Sequence, residues 1–352
     1  MKKIISIGLL SLLVVSCSVT KNSNSKTVSS KTKNPSLQKL DVQSYINSIS
    51  LEDLKANLTI IASDKMQGRD TGSEGQKEAG RYIIAQHQKN GLSYPKAADG
   101  FYQKVPSEFM KKGFSPKLPD SENIWVFIEG SEKPDEVVVV SAHYDHVGVK
   151  NGEIYNGADD DGSGTVGLIE IAKAFQKAKN EGHGPKRSVL ILHVTGEEHG
   201  LHGSRFYAEN PLFPLKNTVA DVNIDMIGRI DDLHPDNGNY IYVIGSDYLS
   251  TDLFNVCEEV NKKYIHLDLD YKYNDKADKN RYYYRSDHYN FAKNGIPSVF
   301  YFNGTHADYH KPTDTVDKIN FEALRKRAQL AFITAWEIAN RPDRLVVDKT
   351  DK

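Results

Sequence analysis

Residues 137–146 read Val-Val-Val-Val-Ser-Ala-His-Tyr-Asp-His. The apolar run from Val137 to Ala142 reads as a β-strand, and it delivers His143 and Asp145 at its carboxyl end. Three more apolar runs repeat the arrangement. Ser188 to Val194 reads as a buried strand and delivers Glu197 and Glu198 after a two-residue turn. Val219 to Ile224 delivers Asp225, and Ser298 to Phe302 feeds the loop that ends at Tyr309-His310. Further strands are expected at Glu122 to Ile128 and Tyr240 to Ile244. Helical spacing marks Leu51 to Ala62, Glu74 to Gln88, Thr165 to Ala178, Thr251 to Lys263 and Asn320 to Ala339. Strands and helices that take turns in this way predict an α/β fold: a three-layer sandwich with a central mixed, mostly parallel sheet flanked by helices.

In open α/β sheets the ligand site lies beyond the carboxyl ends of the strands. His143, Glu197-Glu198, Asp225 and His310 are therefore expected at one rim, together with Asp159-Asp160-Asp161 ahead of the Thr165 helix. Carboxylates gathered without basic partners repel one another and resist ionisation, so such a rim calls for cations. Two imidazoles and three carboxylates, with one carboxylate left over, suit divalent zinc, and cobalt or manganese on ligand type alone. No cysteine joins the set, which disfavours a closed structural zinc site. Taken singly, each segment has an ordinary alternative: the Asp159–Asp161 run also fits a turn with a helix cap, and Glu197-Glu198 a solvated helix start.

The chain has 352 residues, 39 % of them hydrophobic, and a formal net charge of −2 from 45 basic and 47 acidic residues. No basic stripe argues for nucleic acid, and the Arg281–Arg285 segment around Tyr282, Tyr283 and Tyr284 reads as a peptide-facing or simply exposed aromatic loop. Gly68, Gly72 and Gly75 match no phosphate-loop spacing and read as turns. At the amino end, Lys2 and Lys3 precede an apolar stretch from Ile4 to Val15, the pattern of an export signal. Val14-Val15-Ser16-Cys17 resembles a bacterial lipobox, so residues 1–17 are expected to be a lipoprotein signal with Cys17 as the lipid anchor; an ordinary cleaved signal is the alternative. Residues 18–40, rich in Ser, Lys, Asn and Thr, are expected to form a flexible tether, and residues 41–345 a single catalytic domain. Cys257 is the only other cysteine, which leaves no internal disulfide.

Read in order, AHYDH (142–146), NGADDDGSG (156–164), TGEEHGLHGS (195–204), NIDMIG (223–228) and DYHKPTDT (308–315) resemble the zinc aminopeptidases of family M28. MQGRDTGSEG (66–75) and RSDHYNFAKNGIPSV (285–299) are similar as well, so the resemblance spans nearly all of residues 41–340. It implies two zinc ions: His143 and Asp225 on one, Glu198 and His310 on the other, and Asp160 bridging both. It also implies a cis peptide between Asp160 and Asp161, and Glu197 as general base on a water that bridges the metals. The activity implied is removal of the first residue from peptides with a free amino terminus. Beside it, Asp145 is placed to accept the second imidazole proton of His143. Tyr309 is placed to donate to a developing oxyanion, and Arg285 and Asp287 to line the pocket.

Three alternatives stand beside this reading. Glutaminyl cyclisation belongs to a branch with tryptophan before the last histidine, where this chain has Tyr309. Related carboxypeptidases and deacylases carry a lid domain for which the segment from Asp225 to His310 is too short. A catalytically silent lipid-anchored binding protein would have no need of Glu197. Because Ser18 does not resemble an inner-membrane retention signal, the expected location is an outer-membrane lipoprotein, facing the periplasm or the surface. Nothing in the sequence speaks to oligomeric state.

Overall fold

The computed structural model describes residues 42–111 and 117–350. The expected signal, lipobox and tether lie outside them. The strands are β1 (Tyr102–Val105), β2 (Ser121–Ile128), β3 (Lys133–His143), β4 (Gly148–Lys150), β5 (Glu153–Tyr155), β6 (Arg187–Val194), β7 (Thr218–Ile224), β8 (Tyr240–Ile244), β9 (Asp268–Asp270) and β10 (Ser298–Phe302). Eight of them form one sheet in the order β1-β2-β6-β3-β7-β10-β8-β9, and β4 pairs with β5 in a separate hairpin. The central four, β6-β3-β7-β10, are parallel. β2 joins β6 and β8 joins β10 antiparallel, so the sheet is mixed.

The helices are α1 (Val42–Ile46), α2 (Leu51–Ile61), α3 (Glu74–Lys89), α4 (Ser107–Met110), α5 (Gly164–Asn180), α6 (His202–Glu209), α7 (Thr251–Val260), α8 (His288–Ala292) and α9 (Phe321–Asn340). Successive side chains of a strand point to opposite faces, and β3 shows both faces buried. Val138, Val140 and Ala142 join the apolar cluster that holds Ile169 and Phe175 of α5 and Phe332 and Trp336 of α9. Val137 and Val139 join a second cluster with Tyr207 of α6 and Phe291 of α8. That double cover explains why the strand reads as an unbroken apolar run, and β6, β7 and β10 are buried along their whole length for the same reason. Several helix starts are fixed by their own residues. The side chains of Ser50, Ser73, Ser250 and Asn320 accept the N–H three residues on, at the head of α2, α3, α7 and α9.

Differences from the sequence reading are local. The helix expected from Thr251 to Lys263 stops at Val260 and continues as a wider turn over Asn261–Ile265, closed by His266 in a left-handed conformation. Of the three glycines read as turns, Gly68 and Gly72 have positive φ, whereas Gly75 lies in the first turn of α3. A Cβ on Gly75 would fall 2.1 Å from the Met66 carbonyl oxygen, so close approach of two backbones is what requires glycine there. Strands β1 and β9 and helix α6 are not expected from the sequence. The strands have four and three residues, and α6 follows a left-handed Leu201 with no side-chain cap.

One core feature has a pH consequence. His87 of α3 and His193 of β6 are both fully buried, with their Nε2 atoms 2.9 Å apart. Burial pulls His87 down to about 3 and His193 well below the usual range, so both are neutral in the fold. The unfolded chain takes up protons on these two residues below about pH 6.5, so the contribution of the pair should be constant above that and turn destabilising as pH drops towards 3. By pH 4.5 His87 alone costs about 3 kcal/mol. Melting curves in chelator between pH 7 and 4.5 are expected to fall less steeply for a His87→Leu/His193→Leu double variant than for the parent. Parallel curves would remove the pair as the cause.

Candidate metal centre

Each parallel strand ends in a residue that the next few positions turn towards one point. β3 ends on His143, whose carbonyl is held by the Thr165 hydroxyl at 2.7 Å. β6 runs into Thr195-Gly196, where Gly196 has φ +69°, and presents Glu197 and Glu198. β7 runs into Asp225, and the loop after β10 brings His310, with φ +53°, back over the rim. The last participant is the wide turn Ala158–Ser163 ahead of α5, which carries the cis peptide between Asp160 and Asp161. Gly157 opens that turn at φ +56°, and a Cβ there would overlap the Asp160 carbonyl oxygen and the His146 ring.

The three adjacent aspartates go three ways. Asp159 accepts from the Ser163 hydroxyl and the Gly228 and Asn303 N–H groups. Asp161 accepts from the Gly164 and Met226 amides through Oδ1. Asp160 faces both histidines: Oδ1 lies 3.4 Å from His143 Nε2, and Oδ2 lies 3.0 Å from His310 Nε2. Asp225 Oδ1 stands 3.5 Å from His143 Nε2, its other oxygen fixed by the Ser286 hydroxyl at 2.7 Å. Glu198 Oε2 stands 3.0 Å from His310 Nε2. The expected five side chains are thus brought together as two triplets that share Asp160.

Does the set fit metal? Zinc binds these donors at 2.0–2.1 Å, so neighbouring donors on a tetrahedral ion stand about 3.3 Å apart. The observed donor separations, 3.0 to 3.5 Å, bracket that value. Asp160 Oδ2, Asp161 Oδ2 and Glu198 Oε1 are buried with no hydrogen-bond partner, as are both ring nitrogens of His146. Orphaned buried oxygens of this kind are costly unless a cation takes them. Two groups of three donors lie within 4.8 Å of one another, His143–Asp161–Asp225 and His146–Asp160–Glu198. Asp161 therefore also approaches the first triplet, through its unpartnered Oδ2 while Oδ1 accepts from two amides, and among the described residues Asp160 is the carboxylate that faces both His143 and His310.

Electrostatics agree. Burial works against a charged His310, but its contacts with Asp160 and Glu198 outweigh burial and lift it to about 10. For Glu198, burial and the Asp160 charge push upward, yet the imidazoles of His146 and His310 hold it down to about 2. These carboxylates draw positive charge to themselves, and a divalent ion carries more of it than a proton. His143 Nδ1 donates to the Asp145 carbonyl at 3.1 Å, which fixes that proton and leaves Nε2 as the donor atom for an ion.

That contact corrects one expectation. Asp145 does orient His143, but through its main-chain carbonyl, because its carboxylate is taken elsewhere. Oδ2 accepts from the Thr71 hydroxyl at 2.8 Å and Oδ1 from the Glu197 N–H at 3.3 Å, leaving Oδ1 3.7 Å from His143. Asp145 thus contacts both the His143 ring and the Glu197 main chain.

Glu197, Asp160, Asp225, Tyr309 and Arg285 line a recess of about 30 Å³, with Met226, Tyr282, Phe300 and Phe302 as its apolar side. Burial, opposed by His143 and reinforced by the carboxylates of Asp225, Glu198 and Asp287, lifts Glu197 well above the usual range. Burial and the charges of Asp160, Glu198 and Glu197 keep the Tyr309 phenol protonated, and its ring stacks on His310 at 4.0 Å. A larger hollow of about 520 Å³ lies beside Phe127 and Pro134, near the start of β3, and holds none of these side chains.

Several supporting residues escaped the sequence reading. His146 Nδ1 lies 2.8 Å from Glu198 Oε1, although out of line for a hydrogen bond. Asp314, four residues after His310, accepts the N–H groups of Asp159 and Asp160 through Oδ2. Arg69 is fully buried and donates to four main-chain carbonyls, those of Ile61, Tyr144, Asn156 and Gly157. It ties the ends of β3 and of the aspartate turn to α2. All three sit inside the quoted motifs, but only position in the motif marked them.

Comparison with known proteins places the fold and the family. A "Probable leucine aminopeptidase" of Trichophyton verrucosum is 27% identical over 306 residues, 85% of this chain and 76% of the relative. Among solved structures, the LapA aminopeptidase of Legionella pneumophila superposes with a TM-score of 0.65 at 22% identity, covering 87% of this chain and 79% of that one. A glutaminyl cyclase of Porphyromonas gingivalis superposes at 0.61 with 18% identity, covering 82% and 98%. At these identities the superpositions speak for the shared fold. The model of peptidase family M28 matches residues 123–334, more than half of the sequence and the span that carries all five donors, and on that match the chain belongs to peptidase family M28.

Proposed function

We propose that this chain is a zinc aminopeptidase with two metal ions, held by His143 and Asp225, by Glu198 and His310, and by Asp160 between them. The observation that carries the reading is the Asp160 carboxylate, one oxygen towards each imidazole. Relatives named leucine aminopeptidase and zinc metalloprotease support it. Bound divalent ions supply Lewis-acid polarisation and make water a nucleophile at neutral pH.

The remaining steps belong to side chains. Glu197, left over from the donor set, accepts a proton from the attacking water as its oxygen bonds to the carbonyl carbon, and passes it to the departing amine nitrogen when the C–N bond breaks. Asp145 holds the Glu197 main chain in place. Tyr309, protonated, donates its hydroxyl to the carbonyl oxygen as negative charge grows there. The apolar side of the recess receives the first side chain of the peptide.

The test is release of the first residue from Ala-nitroanilide and from short peptides, with N-acetylated versions as controls. Equal cleavage of blocked and free peptides would refute an aminopeptidase. Glutaminyl cyclisation is the second reading because a cyclase shares the fold. It predicts that Gln-initiated peptides lose ammonia without shortening, and Tyr309 before His310 argues against it.

We also propose export and anchoring through a lipid on Cys17, at the outer membrane. No helix among the described residues is long and apolar enough to cross a membrane. Cys17→Ser is expected to move the protein from the membrane pellet to the soluble fraction, and an unchanged distribution would dispose of the anchor.

A further inference from the structure

We propose that Arg285 is a substrate-binding residue that takes a carboxylate of the peptide, so that the enzyme favours anionic over isosteric neutral substrates; this rests on the aminopeptidase reading. Arg285 closes the short helical turn Tyr282–Tyr284 and lies on the wall of the recess with Glu197 and Tyr309. Its guanidinium carbon sits 5.0 Å from the Tyr282 ring centroid, and Nη2 lies 3.4 Å from the Tyr309 hydroxyl. Among the described residues it makes no ion pair. Other arginines near the rim are committed: Arg229 to Asp308, and Arg69 to four carbonyls.

The recess otherwise presents carboxylates, those of Asp160, Glu197 and Asp225. In the proposed enzyme two of these are metal donors and the third moves a proton, which leaves the guanidinium as a charged lining group with no carboxylate partner among the described residues. The Tyr282 ring lies beside the guanidinium and the Tyr309 hydroxyl accepts from it, and a guanidinium at this exposed edge of the recess can meet a carboxylate through two parallel N–H donors. Peptides carry that group in two places within reach of the scissile bond, as the side chain of an acidic first residue or as the carboxy terminus of a dipeptide.

Two substrate pairs separate these sources. Asp-nitroanilide against Asn-nitroanilide reports a side-chain carboxylate, and Ala-Ala against Ala-Ala-amide reports a terminal one. In the parent, kcat/KM is expected to favour the charged member of one pair by about tenfold, the scale of a charge-assisted hydrogen bond at a partly exposed site. R285Q should bring that ratio close to one, and R285K, which keeps the charge without the fork, should restore part of it. Ratios near one in both pairs of the parent would overturn the assignment. So would an R285Q effect that lowers both members of a pair equally, since the guanidinium would then act on the carbonyl common to all substrates. Ala-nitroanilide carries no carboxylate, so its hydrolysis tests the peptidase reading separately, and flat ratios with that activity intact count against Arg285 alone.

Discussion

Glu197→Gln is expected to lower kcat on Ala-nitroanilide by about 10²–10⁴-fold, the range for loss of a positioned general base, while bound metal stays at the parent level. Glutamine matches glutamate in size, so it can keep the main-chain contact to Asp145, but it cannot accept the proton from water. Nor does the change remove a donor: the short contacts to His143 and His310 come from Asp160, Asp225 and Glu198. Metal analysis and kinetics on the same preparation separate the roles. A variant that keeps kcat within a few-fold of the parent would remove Glu197 as the base, and one that loses metal would make it a ligand.

Asp160→Asn should act differently. One oxygen of Asp160 serves each triplet, so replacing it weakens both positions at once, by more than the ten- to hundredfold typical of a partner behind the donors. Metal content is expected to fall below one ion per chain after dialysis, against two for the parent. The rise in melting temperature that zinc gives the parent should shrink accordingly, since a ligand's stabilisation grows with the logarithm of its affinity for the folded state. Asp159→Asn offers a comparison one residue away. Its carboxylate is bound to Ser163, Gly228 and Asn303, so that change should cost stability first. Equal metal loss in the two variants would contradict the bridging role.

The contrast between Asp159 and Asp160 also shows where sequence stops being informative. The central strands were readable because sheets buried on both faces demand unbroken apolar runs, and β8 and β10 begin and end where the pattern placed them. The donors were readable as acids and histidines stationed just beyond those runs. Which of three consecutive aspartates faces two imidazoles was not readable from residue types, because it depends on the wide turn at Ala158–Ser163 and on amides contributed by Gly228 and Met226, far along the chain. His146 was invisible for a similar reason: its place beside Glu198 is set by how the chain turns after β3. The role given to the Asp145 carboxylate failed because spacing cannot tell a side-chain acceptor from a carbonyl of the same residue. The short β9, the β4–β5 hairpin and α6 carry too few apolar residues to register a period.

In the proposed enzyme two ions, shared through Asp160, are needed for peptide hydrolysis. Stripping the protein with chelator and titrating it with zinc, while following bound metal and Ala-nitroanilide hydrolysis in the same samples, tests it most directly. Saturation is expected at about two ions per chain, with full activity only as the second is taken up. Full activity in metal-free protein, or at one ion per chain with no further gain, would contradict it.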